Sequence, residues 1–283
     1  MTTAASPQVI RRPGRIGWIL LPLGFLIFLA LAGLTLLLLA PDTRVPTSPE
    51  RLLPPLSPGH VFGTDNLGRD IALRLLFGIV PTFIVGILGA GIATLVGAAA
   101  GIASGFSVGW LDSLIMRLGE FFQILPLFIV AVLVATFVGG GAVQVGIVVG
   151  LLMWPRMARV VRATVIGLRE APYVTAARLA GMPWWRIAVT EILPAARGQI
   201  LVIAALEAAS AILIESGLSY LGLGDPNWTT WGSMLQEAQR HFTRAPWVSL
   251  FPGVAIALVV ISLNLIGDAW GDRAILKGKE GVE

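Results

Sequence analysis

Residues 17–40 run from Gly17 to Ala40 without a single charge, long enough at 1.5 Å per residue to cross a hydrocarbon core of about 30 Å. Similar apolar stretches recur at about 79–105, 121–138, 143–161, 198–222 and 247–270. Inside a bilayer every backbone N–H and C=O must find its partner within the chain, so such stretches fold as helices. The sequence therefore predicts an all-α, polytopic membrane protein with six transmembrane helices. Composition agrees, with 13% of the 283 residues charged and 56% apolar, against about 25% charged in an average soluble domain. A cleaved signal peptide would have a shorter apolar run and a small-residue cleavage site, so 17–40 reads as a retained first helix.

Charge then orients the spans. Three Lys/Arg precede the first span, one (Arg117) follows the second, seven lie from Arg156 to Arg197, and three (Arg273, Lys277, Lys279) lie in the tail. These fourteen share one side, whereas only Arg44, Arg51, Arg69, Arg74, Arg240 and Arg244 fall on the other. The positive-inside bias makes both termini and the long loop cytoplasmic. The net charge of +4 thus reports orientation and does not call for nucleic acid. The expected divisions are an N-terminal tail 1–16, a first helix 17–40, an external segment 41–78, a five-helix core 79–270 with a loop at 162–197, and a C-terminal tail 271–283.

The chemistry of catalysis is missing. The chain has no cysteine and only two histidines, His60 and His241, which excludes thiolate metal sites and disulfides and gives little support to a His-based centre. No GxxxxGK[ST] or HExxH pattern occurs, so no metal or cofactor is expected on this chain, nor ATP by the phosphate-loop route.

Residues 41–59 hold six prolines and predict an extended, exposed connection. Gly63 to Asn66 read as a turn feeding a helix cap. Leu67, Ile71 and Leu75 recur at fourth positions, the stripe of a helix lying on the membrane surface. Asp65, Arg69 and Asp70 read as a cap with a local ion pair, ahead of direct substrate contact. In the second span Gly89, Ala93, Gly97, Gly101 and Gly105 form a small-residue face for close helix packing. Pro126 predicts a kink in the third span and Pro155 an interruption of the fourth. Trp228, Trp231 and Trp247 are expected near a membrane interface.

Four polar residues lie within spans. Glu207 and Glu215 are eight positions apart, about 80° round a helix, and a carboxylate costs about 3 kcal/mol near the bilayer centre. Neither should face lipid. Glu207 fits pore lining and helix pairing equally; a proton relay is a weaker reading. Asn264 and Asp268, at i and i+4, predict an interfacial pair near the cytoplasmic end.

The stretch EAPYVTAARLAGMPWWRIAVTEILP, 170–194, is too long and too amphipathic for a helical hairpin turn. Pro172 suits a first helical turn, Thr175 to Ala180 continue it, and Gly181 with Pro183 stops it. Trp184, Trp185 and Ile187 form a second apolar limb before Leu193-Pro194 opens the fifth span. Physics alone leaves two occupants for its surface: acidic lipid held by Arg178 and Arg186, or a protein.

This stretch resembles the EAA loop of the membrane subunits of ATP-binding-cassette importers. Thr175-Ala176-Ala177, Gly181 and Leu193-Pro194 fall at the positions of the family's EAA, Gly and Leu-Pro, with Thr175 replacing the usual Glu. HVFGTDNLGRD (60–70), LIESGLSYLGLG (213–224), Trp231 to Leu235, and Asn264 to Asp268 are similar to the C-type permease subunit of dipeptide, oligopeptide and nickel importers. Ala269 to Asp272 depart from that subunit's basic continuation.

The resemblance implies a type I importer permease whose cytoplasmic coupling helix docks on an ATPase subunit. The docking residues implied are Tyr173, Thr175, Ala176, Ala177, Arg178, Leu179, Gly181, Trp184, Leu193 and Pro194. Gly63, Thr64, Asp65, Gly68, Arg69 and Asp70 belong to the external motif. Glu215 is implied to make a structural contact between helices near the outer end. The implied partners are a B-type permease, two ATP-binding subunits carrying ATP and Mg, an external substrate-binding protein, and membrane lipid. Peptides are the implied cargo, with nickel, glutathione or another small solute as alternatives. The rivals from other classes are a stand-alone secondary transporter or channel, expected to show inverted repeats that this sequence lacks, and a membrane enzyme, which would need a clustered nucleophile or metal set.

Overall fold

A computed structural model describes residues 15–39, 45–107 and 109–280. The basic tail up to residue 14 lies outside the described residues, as do the side chains of Arg273, Lys277 and Lys279. The described chain is helical: α1 Arg15–Leu39, α2 Ile71–Phe106, α3 Trp110–Ile124, α4 Leu127–Val138, α5 Ala142–Leu168, α6 Pro172–Leu179, α7 Trp184–Ile187, α8 Leu193–Tyr220, α9 Trp231–Ala238 and α10 Trp247–Glu280. Four helices are long and apolar enough to cross a membrane: α2, α5, α7 running into α8, and α10. A fifth crossing counts α3 and α4 together, bent by 83°. In α1 the described apolar stretch is shorter, Leu20–Leu36.

The helix boundaries depart from the expected ones, each for a local reason. The surface helix and the second span are one 36-residue helix, α2, which starts where the Asp70 carboxylate accepts the N–H of Leu73. Ile71 is wholly buried in its first turn and so faces protein. Most of the polar stretch 107–120 is helical too, as α3. Pro126 breaks the third span outright, since it sits with Leu125 in extended backbone between α3 and α4. Pro155, by contrast, rides inside a continuous α5.

The most extensive contact joins α2 to α5, because both lack side chains where they meet. A Cβ on Gly97 would lie 2.6 Å from Met157 Cβ, on Gly101 2.5 Å from the Ala158 carbonyl oxygen, and on Gly105 2.5 Å from Val165 Cβ. The fit is reciprocal, with Gly146 and Gly150 of α5 against Leu88 and Ile92. Gly89 meets Ala211 of α8, and Ala93 is wholly buried. In hydrocarbon, where burying an apolar surface gains nothing, such backbone approach is what holds helices together.

Three apolar clusters stack along this axis. One joins Ile71, Ile79, Trp231, Met234 and Val259 around the starts of α2 and α9. The second holds Val85, Ala131, Val149 and Ala211 midway. The third, Met157, Val161, Val165, Val174, Ile187 and Ile192, fastens the long loop to the end of α5.

Candidate coupling surface

Helix α6 begins at Pro172, whose missing N–H costs nothing in a first turn, and ends at Gly181. There φ is +81°, the Gly181 N–H donates to the Arg178 carbonyl at 3.0 Å, and the Met182 N–H donates to the Ala177 carbonyl at 3.1 Å. This pair of bonds is a Schellman stop. It reverses the chain so that α7 folds back beside α6.

The loop has an inner and an outer face. Val174 is fully buried against the third cluster, with Ala177 and Met182 packed around it. Tyr173, Thr175, Ala176, Arg178, Leu179, Gly181 and Trp184 are exposed, Leu179 by 85%. Leu193 is half-buried and Pro194 exposed. An exposed leucine and tryptophan beside a bare Ala176 and Gly181 make a surface that another body can approach closely.

Leu193-Pro194 does not open a new helix. From Trp184 to Tyr220 the helix is unbroken, and residues Ala188–Ile192 form a π turn in which the Leu193 N–H reaches back to the Ala188 carbonyl. A proline inside an α-helix loses one hydrogen bond and crowds the carbonyl four residues earlier. Widening the preceding turn relieves both, so the loop joins the fifth span as a single stiff rod.

A second polar assembly fixes this end of the molecule. Arg162 of α5 donates two bonds of 2.6 Å to the two oxygens of Asp112 on α3, and Ser104 of α2 also hydrogen-bonds Asp112. Arg169 reaches the Gly105 carbonyl at 3.3 Å. Sequence reasoning passed over Asp112–Arg162, since fifty positions separate the partners.

At the opposite end, the GTDNLGRD motif is wrapped by the proline-rich segment, which is pinned here and does not run free. Thr64 Oγ1 donates to the Glu50 carbonyl at 2.7 Å and accepts the Leu53 N–H at 2.9 Å. Gly63 and Gly68 have φ of +80° and +74°, and a Cβ on either would strike the carbonyl of Leu53 or Ser48. Asp65 accepts the N–H of Leu67 and of Arg69, then the guanidinium of Arg69 at 2.6 Å and of Arg74 at 2.7 Å. Glu237 of α9 bonds both arginines. Asp70 caps α2 and pairs with His60 at 2.7 Å. The expected cap and local pair are thus part of a larger network whose other members, Arg74 and Glu237, the sequence did not reveal.

Hydrogen bonds and neighbouring charges tune two groups there. Burial itself raises the Asp65 carboxyl, but the Arg69 N–H, the Arg74 and Arg69 charges and the Leu67 N–H outweigh it and hold it below the usual 3.8. The hydrogen bond that the His60 ring donates to Asp70, opposed by partial desolvation and helped by the Asp70 and Glu50 charges, raises His60 above 6.5.

The intramembrane carboxylates are both withdrawn from the surface. Glu207 and Glu215 are 1% and 3% exposed. Glu215 accepts bonds from Ser219, at 2.6 Å, and Ser216 of its own helix, with the side chain of Thr230, the cap of α9, also within hydrogen-bonding reach. Glu207 Oε1 has no partner among the described residues. Asn264 is half-buried, Asp268 is exposed, and no hydrogen bond joins them. Trp231, expected at an interface, is 2% exposed and donates its indole N–H to the Leu75 carbonyl at 2.9 Å. No cluster able to hold a metal ion occurs among the described residues.

An apolar helical bundle with a stiff, outward-facing amphipathic loop is the build of a membrane permease subunit. Residues 93–274 match the family described as binding-protein-dependent transport system inner membrane component, and the chain belongs to that family. It is 35% identical over 236 residues to the dipeptide transport system permease protein of Alkalihalophilus pseudofirmus, covering 83% of this chain and 78% of the relative. It is 35% identical over 214 residues to the oligopeptide transport system permease protein of Haemophilus influenzae, covering 75% and 69%. It is also 35% identical over 217 residues to the glutathione transport system permease protein of Pectobacterium atrosepticum, covering 76% and 72%. The chain is thus an integral inner-membrane permease subunit of an ATP-binding-cassette importer, itself non-catalytic, in a complex whose ATPase activity lies with partner subunits.

Proposed function

We propose that this chain forms half of the translocation pathway for di- or oligopeptides delivered by an external substrate-binding protein. Its partners are a B-type permease and two ATP-binding subunits, which hold ATP and Mg. The termini and the α6 loop face the cytoplasm, as the distribution of Lys and Arg supports. Peptide cargo is supported by similarity to permeases named for dipeptides and oligopeptides; glutathione is itself a small peptide.

The observation that carries the coupling role is the two-faced build of α6. Its inner face, through Val174, belongs to the same apolar cluster as Val161 and Val165 of α5 and Ile192 before α8. Its outer face, Tyr173, Thr175, Ala176 and Leu179 with Gly181 and Trp184, is left for the ATPase groove, while the Arg178 guanidinium turns back to the Arg169 carbonyl. A push on the outer face moves α5 and α8 together, since packed interiors transmit displacement instead of absorbing it. Thr175 stands where the family carries Glu, so one charged contact is replaced by a hydroxyl while the lever stays.

The test is uptake by the complete complex in liposomes, with labelled dipeptide, binding protein and ATP. Peptide accumulation that needs both ATP and the binding protein supports the reading. Equal uptake by the isolated chain without ATPase subunits would overturn it.

A further inference from the structure

A cavity of about 610 Å³ opens between the end of α2, the start of α3 and the loop, walled by Ala103, Phe106, Leu111, Arg178, Met182 and Trp184. Its walls are apolar except for the Ser107 hydroxyl and one cation, Arg178, and no carboxylate lines it. The Arg178 guanidinium turns back toward the C-terminal end of α5, where its one hydrogen bond among the described residues is a long one, 3.3 Å, to the Arg169 carbonyl. Its remaining N–H donors are free to take an anion. The rings of Phe106 and Trp184 lie 6.0 Å apart at the wall, and tryptophan favours the headgroup level of a bilayer.

From this cavity an apolar track leads away along α3. Leu111, Leu114 and Leu118 follow at i, i+3 and i+7, exposed by 36%, 54% and 50%, so they share one helix face. A cation at one end and an apolar stripe leading from it match an amphiphile with an anionic head. A side chain from a soluble ATPase subunit could enter the cavity but would have no use for the stripe.

We propose that this cavity seats an acidic phospholipid, its phosphate on Arg178 and one acyl chain along Leu111, Leu114 and Leu118. Bound there, the lipid bridges α3 and the loop and stiffens the rod that carries α6. The inference rests on the cytoplasmic placement of the loop, but lipid retention is read on the purified complex without transport, so either reading can fail alone.

The test places the complete complex in nanodiscs of equal phosphatidylglycerol and phosphatidylcholine and counts retained lipids by native mass spectrometry. One cation near a surface favours an acidic lipid by about fivefold, and that enrichment is expected for the wild type. Ala103→Phe fills the cavity from α2, away from the docking face, and Arg178→Gln removes the cation; each should bring the ratio near one, and if one variant does not fold the other decides. Equal retention of both lipids by the wild type would mean ordinary boundary lipid and would overturn the proposal. So would enrichment that survives in the folded variants, displacement of the lipid by millimolar inorganic phosphate, or release of the ATPase subunits by Ala103→Phe.

Discussion

Asp65 and Arg74 meet at 2.7 Å with side chains only 1% and 2% exposed, and Glu237 closes the assembly from α9. Removing one partner of a buried pair leaves the other uncompensated, at about 3–5 kcal/mol. Arg74→Met should therefore lower the apparent Tm of the purified complex sharply. The double variant Asp65→Asn, Arg74→Met should lie above the single one, as scanning fluorimetry can check.

The same site gives an acid limit. A carboxyl held below 3.8 stabilises the fold fully above its unfolded value and loses that contribution as pH falls through its folded value. Protection of 45–70, corrected for intrinsic exchange, should hold at pH 5 and fall only below about pH 4. Asp65→Asn should remove that step.

His60 works in the opposite direction. Its value is raised above 6.5 by Asp70 and Glu50, so its contribution is complete below 6.5 and fades as pH rises through the raised value. Protection of 48–63, corrected for intrinsic exchange, is expected to decline from pH 6 to pH 9. An equal decline in His60→Asn would assign the effect to another group.

Gly181 separates backbone strain from crowding. A Cβ there meets nothing within 4 Å, but φ is +81°, a region costing a β-branched residue about 1–3 kcal/mol. Gly181→Val should leave the complex assembled while uptake per ATP hydrolysed falls about tenfold, as 1.4 kcal/mol of misplacement would produce. Gly181→Asn, which tolerates this region, should keep most of the coupling in the liposome assay.

Two glycines of α2 make an internal comparison. Gly101→Leu drives carbons into the Ala158 carbonyl, whereas Gly91 faces open space. Overpacking of this kind costs about 1–3 kcal/mol or more. Gly101→Leu should reduce the monodisperse fraction in size-exclusion chromatography, and Gly91→Leu should not.

Much of this protein was legible in its sequence because the bilayer reduces the choices. A long uncharged run must be a helix, and Gly97, Gly101 and Gly105 spaced by four must share one face, whatever lies opposite. The stop at Gly181 was equally local, because Schellman geometry needs only the residues from Ala177 to Met182. Which neighbour a face meets is a different matter. Pro126 and Pro155 look alike in sequence, yet one breaks its helix and the other does not: Pro155 is buried in α5, which α2 clasps across the Gly97–Met157 contact, while Pro126 lies exposed at the α3–α4 corner.

The exposed and buried tryptophans make the same point, since Trp231 reads as an interfacial residue until α2 presents the Leu75 carbonyl to it. Arg74 and Glu237 stand 163 positions apart, and no local pattern announces such a pair. The long loop was recognisable from its spacing, but its stiffness was not. That follows from the π turn before Leu193 and from Val174 entering the core of α5. The sequence by itself determined the helices, their small-residue faces and the ends of α6, because backbone hydrogen bonding and φ preferences act within a few residues. Only the tertiary structure decided which charges pair and which loop face stays open, because those depend on surfaces brought together from distant parts of the chain.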